Sequence, residues 1–104
     1  MGTSAHTVNV VVTFKNTEAT DALRSYATDK LSHSLKKFVH SDTEAHVILR
    51  IEKLRQIAEV SFHADGKDFA GKEESQDLYA SIDALSDSIA HQLRKHKEKV
   101  TSHH

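Results

Sequence analysis

The spacing of apolar residues in this chain switches from two to four and back again, and that alternation leaves few folds open. Val8, Val10, Val12 and Phe14 alternate with Thr7, Asn9, Val11 and Thr13, which predicts a strand over Thr7–Phe14 with one apolar side. Leu23, Ala27, Leu31 and Leu35 then recur every four residues, flanked by Tyr26 and Phe38, the stripe of an amphipathic helix ending near Phe38. Thr20 is placed to cap it, and Asp21 adds negative charge to its first turn. Alternation returns over Glu44–Glu52 (Ala45, Val47, Leu49, Ile51) and over Ile57–Ala64 (Ala58, Val60, Phe62, Ala64). The short link Lys53–Gln56 makes these two strands a hairpin. Asp65-Gly66 signals a tight turn into a fourth strand, about Lys67–Lys72. A last helix begins near Ser75–Asp77, with Leu78, Ile82, Leu85, Ile89 and Leu93 as its stripe.

The order is β-α-β-β-β-α, an α+β domain. A strand-helix-strand start normally joins parallel neighbours, and each later strand can pair antiparallel with the one before it. Each strand has one apolar side and each helix one apolar stripe. The economical packing puts both helices on one face of a four-stranded mixed sheet and leaves the other face to water. The helices then lie side by side with polar faces outward, and function is sought there.

The chain has 104 residues, no proline and only three glycines, so nothing marks a boundary between domains. One domain over 7–100 is expected. Met1–His6 (MGTSAH) reads as a disordered leader of the kind an expression vector leaves, and 101–104 as a disordered tail. No apolar run approaches the length of about 18 residues that spans a bilayer. The start of the chain lacks the basic and apolar regions of a signal peptide, and there is no cysteine. A cytoplasmic protein is expected, with no membrane partner and no disulfide or cysteine-based metal chemistry.

Catalysis finds little support. There is no glycine-rich phosphate loop, GxSxG elbow or dinucleotide fingerprint. Glu73, Glu74, Asp77, Asp83 and Asp87 gather around the start and polar side of the last helix, where acidic residues stabilise the helix dipole. Nine histidines raise the question of a metal. His46 and His63 fall on the polar side of the sheet as prospective cross-strand neighbours, but two histidines lack the third ligand zinc needs, and no HExxH spacing occurs. The expectation is no catalytic residue, no metal site, no cofactor and no small-molecule substrate.

Net charge is −1, yet it is unevenly spread: +2 over Met1–His40, −6 over Ser41–Ser88 and +3 over Ile89–His104. Arg24, Lys30 and Lys37, with Lys36 nearby, lie outside the apolar stripe of the first helix. Arg94, Lys95, Lys97 and Lys99 crowd the end of the second. Cations near a helix C-terminus favour its dipole and keep a surface soluble. The same side chains can meet phosphate, because binding follows local potential rather than net charge.

Several of these residues resemble the family of ribosome hibernation-promoting factors and ribosome-associated inhibitors. Thr20–Tyr26 (TDALRSY), Lys30-Leu31 and Lys37-Phe38 look like its first helix. Glu52-Lys53, Ala58-Glu59-Val60, Asp77–Asp83 (DLYASID) and Gln92-Leu93 with Lys95-His96-Lys97 (KHK) also match, so the resemblance covers about Val8–Lys99. It implies a fold similar in outline to double-stranded RNA-binding domains. It further implies binding to small-subunit ribosomal RNA in the channel used by messenger and transfer RNA, with inhibition by occlusion rather than chemistry. Few residues follow the KHK match, which implies the short type that promotes ribosome pairing and has no extra dimerisation domain. The partners implied are the small subunit with its RNA, whole ribosomes and ribosome dimers. The RNA-binding residues implied are Arg24, Lys30 and Lys37, Lys53 at the hairpin, and Lys95 and Lys97, with Arg94 added. Asp77 and Tyr79 match the motif and are expected to cap and to pack. Ser88 and His91 stand where the family commonly carries Lys and Arg, two cations fewer on the second helix, which Arg94 offsets in part. A general double-stranded RNA-binding protein is the competing reading, and few aromatic residues are expected at the surface.

Overall fold

The computed structural model describes the backbone of residues 7–101 and the side chains through Lys97; Met1–His6, residues 102–104 and the side chain of Lys99 lie outside the described residues. The elements are β1 (Val8–Lys15), α1 (Asp21–Phe38), β2 (Thr43–Glu52), β3 (Arg55–Ala64), β4 (Lys67–Ser75) and α2 (Leu78–Thr101). The strands form one mixed sheet in the order β1-β2-β3-β4. β1 runs parallel to β2, from Val8 opposite Thr43 to Lys15 opposite Arg50, and the two hairpins that follow are antiparallel.

Alternation decides which side of the sheet is covered. Val12, Val47, Leu49, Val60, Phe62 and Phe69 are buried on one face, against Ala27, Leu31 and Leu35 of α1 and Ile82, Leu85, Ile89 and Leu93 of α2. Phe62 and Phe69 stack across β3 and β4 with centroids 5.1 Å apart. Thr20 caps α1 as the sequence suggests, accepting from the Leu23 amide at 3.2 Å with its own backbone extended at φ −118 and ψ 147. Asp77 caps α2, its Oδ1 accepting from the Tyr79 amide at 3.1 Å.

Four details depart from the sequence reading. β4 continues to Ser75, because Glu73, Glu74 and Ser75 stay in register with Ala58, Ile57 and Gln56. Glu73 and Glu74 therefore belong to a strand rather than to a helix start, and Glu74 grips Arg55 through both carboxylate oxygens. The β2–β3 link is two residues, Lys53 and Leu54, since Glu52 already faces Arg55. His46 faces Ser61 rather than His63. Ile57 is fully buried although it lies on the face expected to be open, between Arg50 and Glu74 in register. Arg50 pairs there with Glu52 and with Glu59, the latter at 2.7 Å, so a salt-bridged layer roofs an apolar side chain.

Candidate nucleic-acid interface

The outer surface of the helix pair follows from how the helices meet. Tyr26 contacts Tyr79 and Asp83, Ser34 contacts Ser86, and Phe38 contacts Arg94, so the contacts advance together and the helices run parallel. The floor between them is polar: the Ser34 and Ser86 hydroxyls are 2.7 Å apart and buried. Small hydroxyls let the two backbones approach closely while remaining hydrogen-bonded to each other.

Along this seam the expected site residues fall into three groups. Lys37 and Arg94 lie at the far end, each 5.9 Å from the centroid of the Phe38 ring, so both cations flank one aromatic side chain. Lys95 and Lys97 are exposed on the same stretch of α2. In the middle, Lys30 is 3.4 Å from Asp83 and 5.8 Å from the Tyr26 ring centroid, so part of its charge is already answered. Arg24 and Lys53 are elsewhere. Arg24 points to the sheet edge, donating to the Val12 carbonyl at 3.1 Å with its guanidinium 5.2 Å from the Phe14 ring centroid. Lys53 is exposed at the tip of the β2–β3 hairpin with φ 57. Gln56 of β3 accepts from the Leu78 amide at 3.0 Å, so that hairpin lies at the starting end of α2. The sixteen residue steps from Leu78 to Arg94 span about 24 Å of helix. The structure thus brings Lys37, Arg94, Lys95 and Lys97 to one end, and sets Lys53 far from them.

Sequence reasoning missed the near end of the seam. Tyr79 does pack, but at the surface: it is 38% exposed, with its ring edge-to-face against Tyr26 at 5.0 Å and 71°. The Tyr26 hydroxyl donates to Asp83 at 2.5 Å. That bond lowers the Asp83 carboxyl below the usual range, with Lys30 helping and burial opposing. It raises the Tyr26 hydroxyl above its ordinary value, with burial and the charges of Asp83 and Asp77 adding to the effect. The four-residue spacing of Tyr79 and Asp83 was the available signal, since it sets both on one side of a helix.

Of the two positions where the resemblance implies family cations, His91 is exposed and Ser88 half-buried. The remaining histidines of interest sit on the sheet: His46 is 3.2 Å from Glu44, and His63 is 2.7 Å from Asp68 across β3 and β4. Among the described residues no group of three or more His, Asp or Glu side chains is placed to hold a metal ion. No helix among them is long and apolar enough to cross a membrane.

Comparison with known proteins agrees with this architecture. A ribosome hibernation promoting factor of Klebsiella oxytoca is 39% identical over 92 residues, covering 88% of this chain and 96% of that protein. The protein of that name from Escherichia coli is 36% identical over the same shares. One from Azotobacter vinelandii is 42% identical over 82 residues, covering 79% of this chain and 76% of its own. Among solved structures, the N-terminal domain of Thermus thermophilus Protein Y superposes with a TM-score of 0.75 at 28% identity, covering 86% of this chain and 98% of that one. A ribosomal subunit interface protein from Coxiella burnetii gives 0.75 at 26% identity, covering 86% and 97%. The family model described as Sigma 54 modulation protein / S30EA ribosomal protein matches residues 10–101, and with relatives this similar along nearly their whole length, the chain belongs to that family.

Proposed function

We propose that this protein is a cytoplasmic ribosome hibernation factor. In this reading it lodges on small-subunit ribosomal RNA in the channel of messenger and transfer RNA, blocks translation by occupying that channel, and promotes the pairing of inactive ribosomes. It acts by occlusion and is not an enzyme. The names of the relatives support the class of function, and the shared length supports carrying it over. The observation that carries the RNA contact is the far end of the seam, where Lys37 and Arg94 flank Phe38 and Lys95 and Lys97 lie beside them.

Phosphate contacts position a protein without reading bases, and folded RNA is recognised largely by shape. A pair of parallel helices with cations at one end and Lys53 toward the other suits such docking. Contacts at both ends hold the domain in one orientation, while either alone allows it to swivel. Lys30 contributes less, because Asp83 shares its charge, and Arg24 contributes mainly through the sheet edge.

The experiment is co-sedimentation with purified ribosomes, comparing wild type with a variant carrying Lys30, Lys37, Lys95 and Lys97 each changed to Glu. Wild type travels with the small subunit and the variant stays at the top. With about six phosphate contacts, affinity falls about a thousandfold between 50 and 200 mM salt. A ribosome-dimer peak that grows with added protein supports the pairing role. Wild type remaining at the top would refute the reading, and equally tight binding to a plain RNA duplex would favour a general double-stranded RNA-binding protein.

A further inference from the structure

Three large apolar side chains are exposed among the described residues: Val11, Leu54 and Tyr79. Tyr79 stands apart because it is held in place by a second ring. Tyr26 meets it edge-to-face at 5.0 Å, and whichever ring presents its edge, at least one face of Tyr79 is left uncovered by Tyr26. Tyr26 is itself fixed, since its hydroxyl donates to Asp83 Oδ1 at 2.5 Å. Lys30 Nζ lies 3.4 Å from the same oxygen.

Two features fit neither a core nor a plain cationic surface. A core role would bury Tyr79, and 38% of it is open. A surface built only for phosphate would not place a carboxylate beside Lys30, where it repels the ligand and answers the lysine. Asp83 keeps 47% of its side chain exposed, and both its contacts fall on Oδ1. Its Oδ2 therefore retains acceptor capacity on the side of the helix that carries Tyr79.

We infer that Tyr79 is a stacking platform for one unpaired nucleobase of the RNA held along the seam, with Asp83 Oδ2 accepting an N–H from the edge of that base. This rests on the RNA-binding reading above and adds a base contact to the phosphate contacts. Folded RNA offers unstacked bases at loops and bulges, and aromatic rings are their usual partners. A Tyr ring already braced by Tyr26 loses little freedom when a base lands on it.

The test measures binding of the full chain to purified small ribosomal subunits over a series of salt concentrations. Tyr79→Ala weakens binding about tenfold or more, the loss expected for one stacked base. Tyr79→Phe stays within about twofold of wild type, and Tyr79→Leu, which keeps apolar bulk without a flat ring, stays as weak as Tyr79→Ala. All four proteins share one slope of log affinity against log salt, because stacking releases no counterions. Thermal unfolding confirms that the variants fold. A photoreactive phenylalanine analogue at position 79 crosslinks to ribosomal RNA. Unchanged binding by Tyr79→Ala, wild-type binding by Tyr79→Leu, or crosslinks to ribosomal protein alone would each overturn the stacking role while leaving hibernation standing. Failure of wild type to bind the subunit would sink both readings together.

Discussion

The Tyr26 hydroxyl and the Asp83 carboxylate share a 2.5 Å hydrogen bond across the two helices, which couples the charge of each to the folded state. The Asp83 carboxyl is lowered chiefly by this bond, so its contribution to stability is present above about pH 4 and is lost as pH falls through its lower folded value. The Tyr26 hydroxyl is raised, again chiefly by this bond. Its contribution is fully present below about pH 10 and is lost as pH rises through the higher folded value. The stability difference between wild type and Tyr26→Phe should therefore be flat across neutral pH and shrink at both extremes. Melting temperatures taken from pH 3 to 11 measure it, and a difference that ignores pH would show that the bond carries no weight in solution.

At Gly71 the side chains of α2 lie close against the sheet. A Cβ there would stand 3.1 Å from the Cδ1 of Ile89 and 3.2 Å from the Cδ1 of Leu85, both residues fully buried. Gly71→Val should cost about 1–3 kcal/mol by overpacking, which in a domain of this size lowers the melting temperature by roughly 4–8 °C per kcal/mol. Gly71→Ala should cost less, because its methyl clash is partly offset by a stiffer unfolded chain. Urea unfolding of both variants checks the order; a Val variant as stable as wild type would mean that the helix lifts away without cost.

How far the sequence reveals this depends on whether a residue's setting is local. The elements follow from periodicity, and Thr20 and Asp77 are caps that act within three residues of themselves. The end of β4 is less legible, since Glu73 and Glu74 look like helix-start residues until Ala58 and Ile57 are known to face them. Arg24 reads as a free cation because nothing nearby in sequence announces Val12 as its partner. Tyr79 reads only as a packing residue for a similar reason: its partner Tyr26 lies 53 positions earlier, and only the packing of the helices decides that the pair meets at the surface. The cationic end was readable as a list of residues, whereas its division into a cluster, a neutralised lysine and a distant hairpin was not.

The cations of the seam should not contribute equally to RNA binding. Lys30 already faces Asp83 at 3.4 Å, while among the described residues no carboxylate pairs with Lys37 or Arg94. Lys37→Ala should weaken binding to the small subunit and reduce the salt slope by about one, as expected for a lost phosphate contact. Lys30→Ala should weaken it less and change the slope by less than one. Lys37 and Arg94 also flank one ring, so the double alanine variant should depart from the sum of the singles, since neighbours in contact rarely add. Filter binding at four salt concentrations measures all three, and a larger effect at Lys30 than at Lys37 would contradict the assignment.

The two hairpins of this chain solve the same problem differently, and that contrast makes a prediction about Lys53. Asp65-Gly66 takes φ 53 and 75, and its second residue is a glycine, the usual choice for such a turn. Lys53-Leu54 places a lysine at φ 57, where L-residues other than Asn and Asp are strained, and leaves Leu54 89% exposed. Lys53→Gly should relieve that strain and stabilise the fold by up to about 1 kcal/mol, a gain reduced by the freer unfolded chain. The same change should weaken small-subunit binding and lower the salt slope by about one if Lys53 meets a phosphate. Stability and binding then move in opposite directions, as when a local fold preference is given up for function. Thermal unfolding and co-sedimentation of this one variant read both. A stabler protein that binds as wild type does would remove Lys53 from the RNA contacts and leave the far end of the helix seam to hold the ribosome alone.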